Sequence, residues 1–172
     1  MNDTAPTPAA QQDDLFGEIT VRPDNQESLV VEGERIPRIE VHRAPGSQKD
    51  DQVAIGTRDP RHLTMTVNGA QVALRPAKGR LSRRSYRIEV EYDGTVWVLL
   101  PDSIPGSRLT RDGSHLGDFS SEGDGRVIAE WRAEAEVHPL DASVGYALAA
   151  AFGTGGQPAW MMAIDTVGAM LP

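Results

Sequence analysis

Leu63-Thr64-Met65-Thr66-Val67-Asn68-Gly69-Ala70-Gln71-Val72-Ala73-Leu74 reads as two short strands joined by a two-residue turn. Asn-Gly favours positive φ at both central positions, which is what a type I′ hairpin turn requires. That turn sets the register: Val67 faces Ala70, Met65 faces Val72 and Leu63 faces Leu74. All six are apolar and share one face, while Thr64, Thr66, Gln71 and Arg75 take the other. Turn chemistry and period-two alternation therefore agree independently.

The same logic repeats downstream. Tyr86-Arg87-Ile88-Glu89-Val90-Glu91-Tyr92 runs into Asp93-Gly94 and returns as Thr95-Val96-Trp97-Val98-Leu99-Leu100. This predicts Val90 opposite Trp97 and Ile88 opposite Leu99, with the return strand apolar on both faces and hence central. A third hairpin is expected at Asp112-Gly113, with Leu109 opposite Leu116, and a further strand over 127–131. Upstream, Ile19 and Val21 suggest a short strand. Ile36, Ile39 and Val41 suggest another, which Pro37 would place at a sheet edge. Closely spaced short strands with Gly-containing turns define a mainly β chain, an antiparallel hairpin-built barrel or sandwich.

At Asp141 the pattern changes. Asp141 suits an N-cap, and 142–152 is Ala-rich, which favours helix. Gly153-Thr154-Gly155-Gly156-Gln157-Pro158 stops it, and Pro158 suits the first turn of a second helix. The expectation is thus an apolar, interrupted C-terminal helix, 141–152 and 158–171, packed in or against the β-structure. The second part is apolar nearly all round, so it is expected to be buried. Each part is shorter than the roughly 20 residues a bilayer span needs, so no transmembrane span is expected. The alternative use of the C-terminal segment is an oligomer interface. Residues 1–14, rich in Ala, Pro, Gln, Thr and Asp, are expected to be a disordered acidic tail, leaving 15–172 as one domain.

Composition narrows the functional classes. The absence of cysteine excludes disulfide scaffolds, zinc–thiolate sites, iron–sulfur clusters and thiol nucleophiles. No secretory h-region follows Met1, which places the chain in the cytoplasm, with peripheral membrane attachment open. Asp112, His115 and Asp118 have no ligand-like spacing on a hairpin. Gly153-Thr154-Gly155-Gly156 follows a helix and lacks the Lys-Ser/Thr of a phosphate loop, and no serine lies in a Gly-x-Ser-x-Gly elbow. The expectation is a non-enzymatic protein with no catalytic residues, no metal and no cofactor.

Two features carry a binding function. Residues 60–88 hold seven basic residues and no acid, whereas the rest of the chain holds ten basic against twenty-five acidic, for a net charge of −8. The total disfavours double-stranded nucleic acid. The connection Pro76-Ala77-Lys78-Gly79-Arg80-Leu81-Ser82-Arg83-Arg84 nonetheless offers forked donors to a phosphate or an anionic lipid through Arg75, Lys78, Arg80, Arg83 and Arg84. The plain alternative is a solvated connector whose charges pair with acids elsewhere in the fold. The second feature, Gln12-Asp13-Asp14-Leu15-Phe16, resembles the Gln-x-x-Leu-Phe peptides by which bacterial replication and repair proteins dock on the sliding clamp. That resemblance implies a protein-docking role for Gln12, Leu15 and Phe16, although Asp13 stands where Leu is usual. The plain alternative is that Leu15 and Phe16 staple the tail to the domain.

The order of elements, with 125–131 leading to Pro139-Leu140-Asp141 and an apolar run ending Ala163-Ile164-Asp165, resembles the tubby C-terminal-like / phospholipid scramblase / LURP-one superfamily. The resemblance spans about residues 15–172. It implies a closed barrel around a hydrophobic C-terminal helix, and lipid-headgroup binding or a scaffold role. The break at 153–158 departs from a single threading helix.

Overall fold

The structure, a computed structural model, describes residues 8–77, 83–102, 106–121 and 125–154. Eleven strands follow one another in space as they do in sequence: β1 (Ala9–Asp13), β2 (Gly17–Asp24), β3 (Ser28–Gly33), β4 (Ile36–Arg43), β5 (Leu63–Val67), β6 (Ala70–Pro76), β7 (Ile88–Tyr92), β8 (Thr95–Pro101), β9 (Gly106–Arg111), β10 (Ser114–Ser121) and β11 (Val127–Trp131). Every neighbouring pair is antiparallel, so the sheet is an uninterrupted meander. It curls into a nearly closed barrel, and the single described α-helix, α1 (Pro139–Phe152), packs within its curve.

The turns explain the meander. Asn68-Gly69, Asp93-Gly94 and Asp112-Gly113 all have positive φ at both positions, as two-residue hairpins require. Met65 pairs with Val72, Val67 with Ala70, Val90 with Trp97 and Ile88 with Leu99, as the sequence predicts. The third hairpin differs by one residue. A bulge between His115 and Gly117 puts Leu109 opposite Gly117 rather than Leu116. Glycine is needed there, because a Cβ would stand 2.8 Å from the Glu130 carbonyl oxygen.

Three other expectations are corrected. Ala9–Asp13 is not tail but a strand paired with β2; residues 1–7 lie outside the described residues. The β4 strand is interior, between β3 and β5. Pro37 is accommodated because the β3–β4 register shifts between Val31 and Gly33, so its missing N–H falls at an irregularity in the ladder. On β8, Val96, Val98 and Leu100 are only half-buried, so this strand is central in the sheet but covered on one face.

The helix is apolar on all sides because it has sheet on opposite sides. It touches β2, β3 and β4 on one part of the wall and β8, β10 and β11 on another, and every residue from Asp141 to Phe152 is buried. Asp141 is not the N-cap but the third helical residue. Its carboxylate reaches back to accept from the His138 backbone N–H at 2.7 Å. The expected second helix, 158–171, lies outside the described residues. No described helix is long and apolar enough to cross a membrane.

Among the described residues, no β1–β11 ladder closes the barrel. A side chain stands in for it: the Gln11 amide accepts from Val127 N–H at 2.7 Å and donates to the Gly125 carbonyl at 3.3 Å, as a peptide unit would. Below it, the buried Asp13 carboxylate accepts from Trp131 Nε1 at 2.9 Å, Tyr146 Oη at 2.8 Å and the backbone N–H groups of Leu15 and Phe16. One carboxylate thus joins the first strand, the last strand and the helix. Burial beside this negative charge raises the Tyr146 phenol well above its usual range.

Candidate anion-binding site

The C-terminal end of α1 is covered by the long 44–59 loop, whose Val53 and Ile55 are buried and whose Ile55 N–H donates to the Ala151 carbonyl at 2.9 Å. Arg43 holds that loop from inside, donating through Nε to the Gln26 carbonyl at 2.7 Å and through Nη1 to the Ser47 carbonyl at 2.9 Å. At the loop's end, Arg58 turns inward. Its guanidinium lies 5.0 Å from the Tyr86 ring centre and 5.6 Å from that of Phe152. Nη1 donates to the Ala77 carbonyl at 3.1 Å and Nη2 to the Tyr86 carbonyl at 3.2 Å.

Those two carbonyls mark the two ends of the basic connection. Ala77 N–H also donates to the Arg87 carbonyl at 2.9 Å, which brings the two sides of the connection together as a neck. Arg58 therefore joins the two sides of that neck, Ala77 and Tyr86. It makes no ion pair among the described residues; its hydrogen-bond acceptors there are carbonyls. Burial accordingly lowers its guanidinium to about 10, opposed by the neighbouring Tyr86 and by Asp50. Arg87, next to the neck, is exposed and also makes no ion pair among the described residues.

The remaining basic residues sort differently. Arg75 donates to Glu89 at 2.7 Å and to Glu91 at 2.6 Å, so its charge is more than matched, and the acid-pairing alternative describes it. Arg61 is matched by Asp59 at 2.7 Å, and that exposed pair holds the Asp59 carboxyl well below the usual range. Lys78 and Arg80 lie outside the described residues. Arg83 and Arg84 fall in a short 3-10 turn, Arg83–Tyr86, with their side chains outside the description.

The N-terminal candidate is not assembled as one surface. Gln12 and Leu15 are exposed, but Phe16 is buried at 8% exposure and meets the Trp131 ring edge-on at 6.4 Å between centres. Phe16 thus does what the staple alternative requires. Asp13, the residue that departs from the docking pattern, is the four-donor anchor described above.

Sequence reasoning passed over Arg58 because it stands alone in Gly56-Thr57-Arg58-Asp59-Pro60, with no pattern to mark it. The pairing of Arg75 with Glu89 was open to inference, since the two are directly opposite once β6 and β7 are placed side by side. Asp112 and His115 do not converge: Asp112 accepts from Val96 N–H, whereas His115 contacts Asp118 at 3.1 Å.

The fold defines a class, a nearly closed antiparallel β-barrel with an apolar helix in its core. No family model matches the sequence, and no curated protein or solved structure matches it.

Proposed function

We propose that this chain is a non-enzymatic binding module that presents the β6–β7 connection to a phosphate-bearing anion, either a free phosphate or a lipid headgroup. The observation that carries the proposal is Arg58. A half-buried guanidinium without an ion-paired carboxylate among the described residues leaves positive charge at the neck of a connection rich in arginine. Desolvation makes that charge costly, and an anion at the neck would offset the cost by supplying the missing counter-charge. Lys78, Arg80, Arg83, Arg84 and Arg87 would supply the forked and point-charge donors around it. Arg75 is not part of this set, because Glu89 and Glu91 already hold it. The apolar helix within the barrel supports the resemblance to the tubby / scramblase / LURP-one superfamily, and that resemblance favours the lipid source.

Co-sedimentation with neutral and with anionic vesicles at low and moderate salt tests this, beside calorimetric titration with inositol polyphosphate. Binding to anionic vesicles that weakens with salt and is lost in Arg80/Arg83/Arg84→Ala identifies the headgroup source. Binding of the soluble polyphosphate alone identifies a free ligand. Absence of both at low salt, where screening is least, refutes the proposal. The alternative, a scaffold docking through Gln12, Leu15 and Phe16, requires Phe16 to leave the core. A pull-down that survives Leu15→Ala argues against it without disturbing Phe16.

A further inference from the structure

The two rims of the barrel are unlike. At the rim where α1 begins, successive strands are joined by short turns, 14–16, 34–35, 68–69, 93–94 and 112–113. The longest connections between strands, 44–62 and 77–87, both lie at the rim where α1 ends, and long connections on a rigid scaffold are where binding residues concentrate. The chain's C-terminal stretch leaves from this same rim. Gly153, with φ at +75°, ends the helix, its N–H still donating to the Ala149 carbonyl at 2.8 Å. Thr154 is then fixed against β9 and β10: its carbonyl accepts from Ser107 Oγ at 2.8 Å and its hydroxyl from Ser121 N–H at 2.7 Å. Phe152, two residues earlier, lies against Arg58 at the neck.

Residues 155–172 therefore start from the rim that holds the neck, and their composition sets them apart. They include Trp160, Met161, Met162, Ile164, Val167 and Leu171, with Asp165 as the single charged side chain. Such a stretch gains by apolar surroundings, and the described residues offer none to spare. The core is taken, since every residue of α1 from Asp141 to Phe152 is buried and Val53 and Ile55 cover its end. The outer wall presents no apolar patch. Its exposed large apolar side chains among the described residues are Leu15, in the turn at the opposite rim, and Ile128, single on β11.

We infer that residues 155–172 are the apolar half of a two-part attachment to an anionic membrane, entering the acyl boundary beside the headgroups that the β6–β7 connection meets. The inference rests on the binding reading above and fixes its ligand source as a lipid headgroup. Charge favours a membrane over a second copy of the chain as the apolar partner. Arg58 and Arg87 stand at this rim with no ion-paired acid among the described residues, while the rim's Asp59 and Asp102 are paired by Arg61 and Arg108. An anionic surface matches that balance and orients the barrel with this rim toward it, whereas two such rims meeting would repel. Neither signal suffices alone. Residues 155–172 fall short of the roughly 20 that span a bilayer, and a basic patch by itself is screened by salt; together they hold.

Tryptophan emission of the full chain, mixed with phosphatidylcholine–phosphatidylserine vesicles whose acyl chains carry bromine, reads this directly, because bromine quenches the indoles that reach the acyl region. Trp97 is buried in the core and Trp131 is tied to Asp13, which leaves Trp160 as the reporter. The expected result is quenching in the wild type that is lost in Trp160→Phe, a change that keeps the apolar character. Met161→Ser/Met162→Ser is expected to weaken vesicle binding by about tenfold while binding of inositol polyphosphate stays unchanged. Vesicle binding without quenching, or with the same quenching in Trp160→Phe, overturns the inference and leaves the headgroup reading standing. Polyphosphate binding without vesicle binding overturns it in favour of a free phosphate. Absence of both overturns it together with the reading on which it rests.

Discussion

Gly145→Ala is the sharpest test of where the helix lies. A Cβ at this position would stand 2.4 Å from Phe119 Cζ, 2.8 Å from Phe119 Cε1 and 3.0 Å from Leu109 Cδ2. Carbon atoms pack comfortably at roughly 3.5–4.0 Å, so more than an ångström must be recovered. The Phe119 ring has little room to give it, since it meets Trp131 edge-on at 5.3 Å and Tyr146 at 5.7 Å between ring centres. In an isolated helix the same substitution would stabilise by about 1 kcal/mol through propensity alone. Overpacking of a core costs about 1–3 kcal/mol, so the net expectation is a loss of up to about 2 kcal/mol. Urea unfolding followed by tryptophan fluorescence should show a lower midpoint with an unchanged slope. The companion Phe119→Leu should be less harmful in the Gly145→Ala background than alone, because the shorter side chain accepts the added methyl. A midpoint that rises would show propensity winning, which is possible only if residue 145 does not face β10 and β9 at close range. That result would refute a helix packed inside the barrel's curve.

Two further consequences follow from the seam and its anchor. The Tyr146 phenol is raised, so folding favours its protonated form; stability is fully present below about pH 10 and should fall by about 1.4 kcal/mol per pH unit above it. In Tyr146→Phe that alkaline slope should be lost in unfolding curves measured between pH 9 and 11.5, although stability at neutral pH drops with the lost bond to Asp13. Gln11→Ala removes the side-chain amide that bridges β1 and β11, at a cost of about 1 kcal/mol, and amide exchange at Val127 should quicken by about tenfold while β4–β8 stay protected.

The hairpins were legible because local chemistry decides them. Asn68-Gly69 and Asp93-Gly94 set both turn and register within four residues, and alternation carried that register outward. The same chemistry is absent at Asn25-Gln26, which adopts positive φ without glycine. There the turn is held from a distance, with Gln26 donating to the Val53 carbonyl at 3.1 Å and accepting from Arg43 Nε at 2.7 Å. The β2–β3 hairpin therefore left no local signal. Strand β1 escaped for a related reason. Ala9-Ala10-Gln11-Gln12-Asp13 has polar residues on its inward side, which sequence periodicity counts against a strand. Gln11 and Asp13 face inward because their partners, Val127 and Trp131 on β11 and Tyr146 on α1, are more than a hundred positions away.

The same distinction separates what charge counting can find in the candidate site from what it cannot. A run of basic residues is visible in one dimension, but whether each charge is spent depends on its neighbours in three. Arg75 belongs to the run and is spent, because the β6–β7 register sets it opposite Glu89. Arg58 lies outside the run and is not matched by an acid among the described residues, because the 44–59 loop carries it across the barrel end to the neck of the connection. On the proposed reading, anion binding depends less on the number of arginines in the run than on Arg58, which holds the neck and has no acid paired with it among the described residues. Arg58→Met tests this, since methionine keeps apolar packing on Tyr86 and Phe152 but removes the charge and the hydrogen bonds to the Ala77 and Tyr86 carbonyls. If Arg58 matters, anion binding should weaken although the residues of the run are unchanged. If the run alone suffices, binding should persist, and Arg58 would be only a structural tie between the loop and the neck.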